Sequence, residues 1–230
     1  MLIELVDVSH SYGERTVLRG ISVPLTERRI GVIGANGSGK STFARLLNGL
    51  VLPERGTVRL DGVDTARDAR AVRRRVGFCF TDPDAQIVMP TVAEDVAFGL
   101  RRLRLSKGEM HVRVAGALGR AGLADHADHP AHLLSGGQKQ LLALTSVLVT
   151  EPDLLVLDEP TTLLDLRNTR RVAAVVAELP QQVVMVTHDL DLVATYDRVL
   201  VFDEGRLVAD APPEQAVAHY RALIAQDPTP

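Results

Sequence analysis

Nine consecutive residues constrain this chain more than any others: Gly34 to Thr42 read GANGSGKST. They stand between a short apolar run, Ile30 to Ile33, and a stretch in which Phe43, Leu46, Leu47 and Leu50 recur at helical spacing. Strand, glycine loop, helix is therefore the order, and Gly34–Ser41 fits G-x-x-x-x-G-K-[ST]. Glycines let backbone N–H groups turn inward around phosphate oxygens, and the helix that follows adds the positive end of its dipole. Gly34, Asn36, Gly37, Ser38, Gly39 and Thr42 then belong to the cradle, Lys40 reaches the β- and γ-phosphates, and Ser41 supplies an oxygen to Mg²⁺. The plainer use of such residues is a glycine-rich turn ahead of a helix. By average residue usage the pattern arises by chance in roughly 1 of 100 chains of this size, and the flanking strand and helix make it rarer. Of 26 basic residues only Lys40, Lys107 and Lys139 are lysine, so a lysine at that place is the less accidental.

The rest of the chain alternates in the same way. At 230 residues it suits one globular domain, or one domain with a lobe inserted. Strands are expected over 2–8 and 16–25 around a turn at Gly13, then over 57–60 with an Asp61-Gly62 turn. A polar helix over 66–75 and a strand over 76–80 follow. From Asp82 to about 150 the strand signal is missing, and helices are expected near 92–104, 107–121 and 137–149, with Ser106 and Glu109 at capping-box spacing. The strand 154–160, a helix near 166–178, strands over 183–187 and 199–202, a hairpin at Glu204-Gly205 and a helix over 214–225 complete the pattern, with a frayed end at Asp227–Pro230. The fold class this predicts is α/β: a mixed, mainly parallel sheet in a P-loop core, an N-terminal antiparallel β part and an inserted helical lobe. Residues 1–81 and 151–230 are expected in the core, and 82–150 in the lobe.

Two further motifs carry chemistry. Leu154–Asp158 is an apolar strand that delivers a carboxylate at its end, followed at once by Glu159. Asp158 can hold Mg²⁺, and Glu159 can orient and deprotonate an attacking water; the plainer reading is a pair of solvated acids at a strand end. Leu134–Gln138 reads LSGGQ and opens a helix. Ser135 and Gln138 satisfy the capping-box template, but two glycines at a helix start are costly and expose backbone N–H groups to an anion.

A P-loop, LSGGQ, a strand ending in Asp-Glu-Pro and a late Thr-His-Asp, in that order and over nearly the whole chain, resemble the ATP-binding cassette (ABC) ATPases. The resemblance implies ATP and Mg²⁺ as cofactors, with Tyr12 as the aromatic that stacks on adenine. It implies Ser135, Gly136, Gly137 and Gln138 as the signature that closes on ATP held by a second subunit. Asp165, in TTLLD, matches the loop acid that communicates across the dimer, and His188, in VTHD, matches the switch histidine at the γ-phosphate. Such a split site implies a head-to-tail dimer whose closure requires ATP. All half-site motifs stand in this one chain, which favours a homodimer over a heterodimer.

One position departs from the pattern. Where the family has a glutamine that touches Mg²⁺ and the attacking water, GFCFTDPDAQ puts Thr81, and Gln86 lies too far along to be assumed a substitute. The segment 81–100 resembles the corresponding helix of the energy-coupling-factor (ECF) importers' ATPases, where it lines a groove for a transmembrane coupling subunit. Asp84, Glu94 and Asp95 could there meet basic residues. The resemblance implies two membrane partners, that coupling subunit and a substrate-binding subunit. TTLLDLRN (161–168) and the short chain incline it towards the ATPase of a biotin importer, with cobalt or nickel systems and other vitamins as competitors.

Composition excludes several alternatives. A net charge of −3 is too near neutral for binding nucleic acid by bulk charge, and aromatics at 3% make a base-stacking platform improbable. No run approaches the roughly 20 apolar residues of a membrane span, and Glu4 and Asp7 stand where a signal peptide would be basic. A single cysteine, Cys79, reads as a core thiol in a reducing compartment. The expected location is the cytoplasmic face of the cell membrane, peripheral and held there through partners. Arginines at 67, 70, 73, 74 and 75, and at 101, 102 and 104, are solvated helix faces or neighbours of anionic lipid. A cytosolic ABC ATPase with an assembly role is the alternative without membrane partners; a guanine-specific Asn-Lys-x-Asp motif is missing.

Overall fold

The computed structural model describes residues 1–226; the expected frayed end, Asp227–Pro230, lies outside them. Strands β1 (Ile3–Tyr12) and β2 (Arg15–Leu25) pair antiparallel around Gly13, and Ile3, Leu5, Val8, Ile21, Val23 and Leu25 turn one face inward. β3 (Arg29–Gly34) is buried along its whole length and runs through the glycine loop into α1 (Lys40–Leu47). Then come β4 (Arg55–Leu60), the two-residue β5 (Val63–Asp64), α2 (Ala69–Arg75) and β6 (Val76–Cys79). α2 starts three residues later than the polar pattern predicts, because the Asp68 carboxylate caps it by accepting from Ala71 N–H.

Helices α3 (Val92–Leu100), α4 (Lys107–Ala121) and α5 (Gly136–Leu148) follow, each opened by a complete capping box: Thr91 with Glu94, Ser106 with Glu109, and Ser135 with Gln138. Each N-cap contributes about 1 kcal/mol and fixes where its helix begins. The helix expected over 92–104 stops at Leu100; a 3₁₀ turn covers Arg101–Leu103, and Arg104 at φ +52° ends it before the Ser106 cap. The chain continues through β7 (Leu154–Asp158), α6 (Leu166–Glu178), β8 (Gln182–Val186), a short α7 (Leu190–Val193), β9 (Arg198–Asp203), β10 (Arg206–Ala211) and α8 (Pro213–Gln226).

The chain divides into two compact units. One comprises Met1–Val76, Asp153–Glu159 and the chain from Gln181 onward; the other comprises Gly77–Pro152 and Pro160–Pro180. The segment carrying α6 thus groups with the helical residues and not with the core in which the strand–helix alternation had placed it.

In the first unit one sheet is antiparallel, in the order β2-β1-β4-β5. The other has β10-β9-β3-β8-β7 in sequence across it; β9, β3, β8 and β7 are mutually parallel, and β10 is antiparallel at the edge. Every residue of β3, β7 and β8 is buried, as a parallel sheet covered on both faces requires. Phe43 of α1 packs on Phe202 of β9 with ring centroids 4.9 Å apart, and α7 and α8 cover Ile33, Val199 and Val201. This order places the C-terminal ends of β3, β7 and β8 side by side, where open α/β sheets bind ligands. The second unit is helical, with α3 and α4 packed on α5. Among the described residues, no helix is long and apolar enough to cross a membrane.

Candidate functional site

The glycine loop leaves β3 at Gly34 and enters α1 through Gly39, which lies at φ +101°; a Cβ there would meet Val17 O and Leu18 Cδ2 at 2.7 Å, so only glycine fits. Lys40 is buried, and its ammonium folds back over the loop, donating to Gly34 O at 2.8 Å and Ala35 O at 2.9 Å. Burial lowers its pKa, opposed by the Glu159 and Asp158 carboxylates. Ser38 is buried too, and its hydroxyl oxygen has no hydrogen-bond partner. An unsatisfied hydroxyl inside a ring of backbone amides is what a phosphate oxygen would satisfy.

β7 brings Asp158 beside the same loop. The Ser41 hydroxyl donates to Asp158 Oδ1 at 2.8 Å, and the Arg45 guanidinium lies 3.8 Å from Oδ2. Asp158 is 1% exposed, and this burial raises its pKa above the ordinary 3.8 against the pull of Ser41 and Arg45. Two hard oxygens held together in a buried spot suit a small oxygen-seeking cation. No group of three or more His, Cys, Asp or Glu side chains among the described residues could hold a metal. A magnesium ion that arrives with a nucleotide needs only one or two protein oxygens beside the phosphates, so the Ser41–Asp158 pair is an adequate donor set.

This carboxylate also links the site to stability. A raised folded-state pKa means that the stability tied to Asp158 is present below 3.8 and lost as the pH rises through the folded value. Asp158→Asn should therefore melt at or above the parent temperature without nucleotide. Its advantage should widen as the pH rises from about 3.8 and then level off. Thermal unfolding of both proteins across that range checks it.

Glu159 follows at φ +54°, a left-handed conformation that costs a non-glycine residue roughly 1–3 kcal/mol. Its N–H donates to Val186 O at 3.0 Å, which fixes the turn against β8. Thr187 N–H donates to Val32 O, and the next residue is His188. The His188 Nδ1 and Glu159 Oε2 atoms are 2.7 Å apart. An ionised carboxylate only accepts, so Nδ1 carries the proton and Nε2 faces away from Glu159. Glu159 is 14% exposed and His188 56%, so the imidazole is the outer member of the pair. Tyr12, at the end of β1, is half exposed with its ring edge-on to His10 at 4.8 Å. The first unit therefore gathers Tyr12, the whole glycine loop, Asp158, Glu159 and His188.

The second unit holds Thr81, the LSGGQ residues and Asp165. Ser135 caps α5, and Gln138 Oε1 accepts from Ser135 N–H at 2.9 Å. The amides of Gly136 and Gly137, in the first turn, lack intrahelical acceptors. Asp165 caps α6 by accepting from Asn168 N–H at 2.8 Å, and Asn168 Nδ2 donates to its other oxygen. The Asn168 amide lies against Gly137 so closely that a Cβ there would collide with it. Asn168, which the motifs do not single out, thus ties the Asp165 turn to the signature helix. Ser135, Gln138, Asp165 and Asn168 line an open cleft of about 790 Å³ together with Arg167, Arg170 and Arg171. Anions are the ligands its charge favours.

Several expectations for the segment after β6 need correction. Asp95 is buried and does not face a partner: Oδ1 accepts from Val88 and Met89 N–H, and Oδ2 from the Ser146 hydroxyl. Glu94 is spent in the Thr91 capping box, and Asp84 pairs with Lys139 Nζ at 2.7 Å. Gln86 is structural, as its distance from position 81 suggested: Oε1 accepts from Phe80 N–H and Nε2 donates to Ala143 O. Of the arginine clusters, Arg75 binds Asp61 and Asp153, Arg73 donates to Gly49 O, and Arg101 stacks over Phe98. Burial pushes the Cys79 thiol up to about 12, which makes it inert at neutral pH.

Comparison with known proteins agrees with this geometry. Residues 18–162 match the ABC transporter family. The chain is 50% identical to the biotin transport ATP-binding protein BioM of Rhizobium etli over 98% of this chain and 100% of that one. It is 40% identical to the energy-coupling factor transporter ATP-binding protein EcfA1 of Bacillus subtilis, over 97% of this chain and 83% of that one. The solved structure of cbiO1 from Clostridium perfringens, part of the ABC transporter complex cbiONQ, superposes with a TM-score of 0.83 at 32% identity. That match covers 98% of this chain and 95% of the other. A nucleotide loop, a buried carboxylate beside it, an LSGGQ helix and these relatives over nearly the full length lead to one conclusion: the chain belongs to the ABC transporter family, as one of its ATP-binding proteins.

Proposed function

We propose that this chain is the ATP-hydrolysing subunit of an ECF-type importer, and that the cargo is biotin. The observation that carries the catalytic part is the row Ser41–Asp158, Glu159–His188 at the ends of α1, β7 and β8, beside a phosphate-ready loop. Magnesium, held by Ser41 and Asp158 together with the phosphates, would supply charge neutralisation at the β- and γ-oxygens. Lys40 would exchange its two loop carbonyls for phosphate oxygens, and Tyr12 would stack on the adenine. Glu159 holds the attacking water and takes its proton; His188 keeps that carboxylate oriented through Nδ1–H and, in its imidazolium form, donates Nε2–H to the γ-phosphate. The strained turn at Glu159 aims its side chain off the strand end.

Two copies arranged head to tail would bring Ser135, Gly136, Gly137 and Gln138 of one onto the nucleotide of the other, with Asp165 at the contact. The open, arginine-lined cleft at the start of α5 supports this reading. The ECF assignment and the cargo rest on likeness to proteins named for energy coupling and for biotin transport, the latter at 50% identity. In that arrangement the protein sits peripherally on the cytoplasmic face of the membrane, bound to a transmembrane coupling subunit and a substrate-binding subunit.

Tagging this chain and extracting membranes in mild detergent tests the reading. Two integral membrane proteins, one carrying biotin, are the expected companions. A companion that carries a metal ion would keep the mechanism and replace the cargo, whereas recovery with soluble companions alone would overturn the importer assignment.

Thr81 is the residue by which this chain should differ from its family. A threonine hydroxyl is shorter than a glutamine amide, so a contact to water or cation made by glutamine is weakened here. Thr81→Gln should change ATP turnover, or import per ATP, by about fivefold, the worth of one hydrogen bond. If both rates stay at the parent's values, Thr81 has no special part in the cycle.

A further inference from the structure

Helix α5 carries the signature at its first turn and, further along, a single face that grips the segment 79–95. Lys139 Nζ binds both oxygens of Asp84 at 2.7 and 3.0 Å, and Gln140 Nε2 donates to Cys79 Sγ at 3.5 Å. Ala143 O accepts from Gln86 Nε2 at 3.0 Å, and the Ser146 hydroxyl donates to Asp95 Oδ2 at 2.8 Å. Positions 139, 143 and 146 are separated by four and three residues, which puts them along one side of a helix. The other ends of these bonds are backbone anchors: Gln86 Oε1 holds Phe80 N–H, and Asp95 Oδ1 holds Val88 and Met89 N–H. A buried carboxylate satisfied by three donors, one of them on a different helix, is costly to rearrange. The segment and α5 therefore move together or break several hydrogen bonds at once.

We propose that Asp95, with Ser146, and Gln86 are positioning residues that lock segment 80–95 to α5, so that a load applied to this segment displaces Ser135–Gln138 of the same chain. The inference rests on the importer reading, in which the membrane subunit docks against this segment. Asp95 thus transmits, where the family likeness suggested that it would bind. Because none of these side chains belongs to the nucleotide loop or the Glu159–His188 pair, loosening them should spare the chemical step and damage its coupling.

The test uses this chain reconstituted in liposomes with the membrane proteins that co-purify with it, and measures ATP hydrolysed and labelled biotin imported. Ser146→Ala and Asp95→Asn should hydrolyse ATP within about twofold of the parent, while biotin imported per ATP falls roughly tenfold, the equivalent of one lost buried hydrogen bond. Ser146→Thr keeps the donor and should restore the parental ratio. Should Asp95→Asn fail to fold, Ser146→Ala decides alone, since it removes a single hydroxyl. Parental import per ATP in Ser146→Ala would overturn the lock as a transmitter. So would a fall in hydrolysis as large as the fall in import, which marks plain damage to the signature. If the parent complex imports nothing on addition of ATP, the importer reading falls and takes the load path with it.

Discussion

Glu159→Gln should bind ATP as well as the parent and hydrolyse it at least roughly 10²-fold more slowly, which is the usual worth of a positioned general base. The geometry explains why the loss is one of rate alone. Glutamine matches glutamate in size and can keep Oε1 against His188 Nδ1–H, now 2.7 Å from the carboxylate, so the imidazole stays in place. What disappears is the acceptor for the water's proton. The positive φ at position 159 is unchanged by the substitution, so the turn on Val186 O survives. In the head-to-tail dimer proposed above, closure would follow binding and reopening would follow hydrolysis, so the variant should accumulate as an ATP-bound dimer on size exclusion. Turnover at the parental rate would assign the base to another residue.

Lys40→Ala should lose nucleotide affinity by roughly 10–100-fold, the value of a charge-assisted hydrogen bond to phosphate. It should also lose stability without nucleotide, by about 1–3 kcal/mol, because Gly34 O and Ala35 O are left in a buried loop without their donor. Lys40→Met retains the apolar stem and should match Lys40→Ala in affinity while destabilising less. Titration with a fluorescent ATP analogue and thermal unfolding separate the two effects. Tight binding by either variant would overturn the role given to the loop.

Much of the architecture was legible because its signals are local. The strand–glycine–helix order of Ile30–Leu47, the Asp-Glu at the end of β7 and the capping box of Ser106 each depend on residues within one turn or strand of each other. Element ends were less legible: α2 begins where the Asp68 cap sets it, and α3 gives way at Leu100 to a 3₁₀ turn closed by a left-handed Arg104, which periodicity does not register. The acids of 84–95 show the harder limit. Read as acids that meet basic residues of a partner, they proved to be an ion pair, a capping residue and a buried anchor: Lys139 and Ser146, which donate to Asp84 and Asp95, lie 55 and 51 residues away in the chain, while the Thr91 cap that takes up Glu94 was a local signal.

By itself the sequence determined where a phosphate-ready loop lies between β3 and α1, because a backbone that must turn its amides inward writes that demand in closely spaced glycines. It determined the family as well, because LSGGQ and Asp-Glu-Pro stand in fixed order. Only the tertiary structure decided what these residues do to one another. Ser41 meets Asp158 across 117 residues, and Glu159 meets His188 across 29, because the parallel sheet sets β3, β8 and β7 side by side out of chain order. The buried state of Asp158 and the strain at Glu159 follow from that packing, and the bond of Asp95 to Ser146 follows from the packing of α3 on α5; in both, burial and long-range hydrogen bonds outweigh anything a neighbour in sequence can impose.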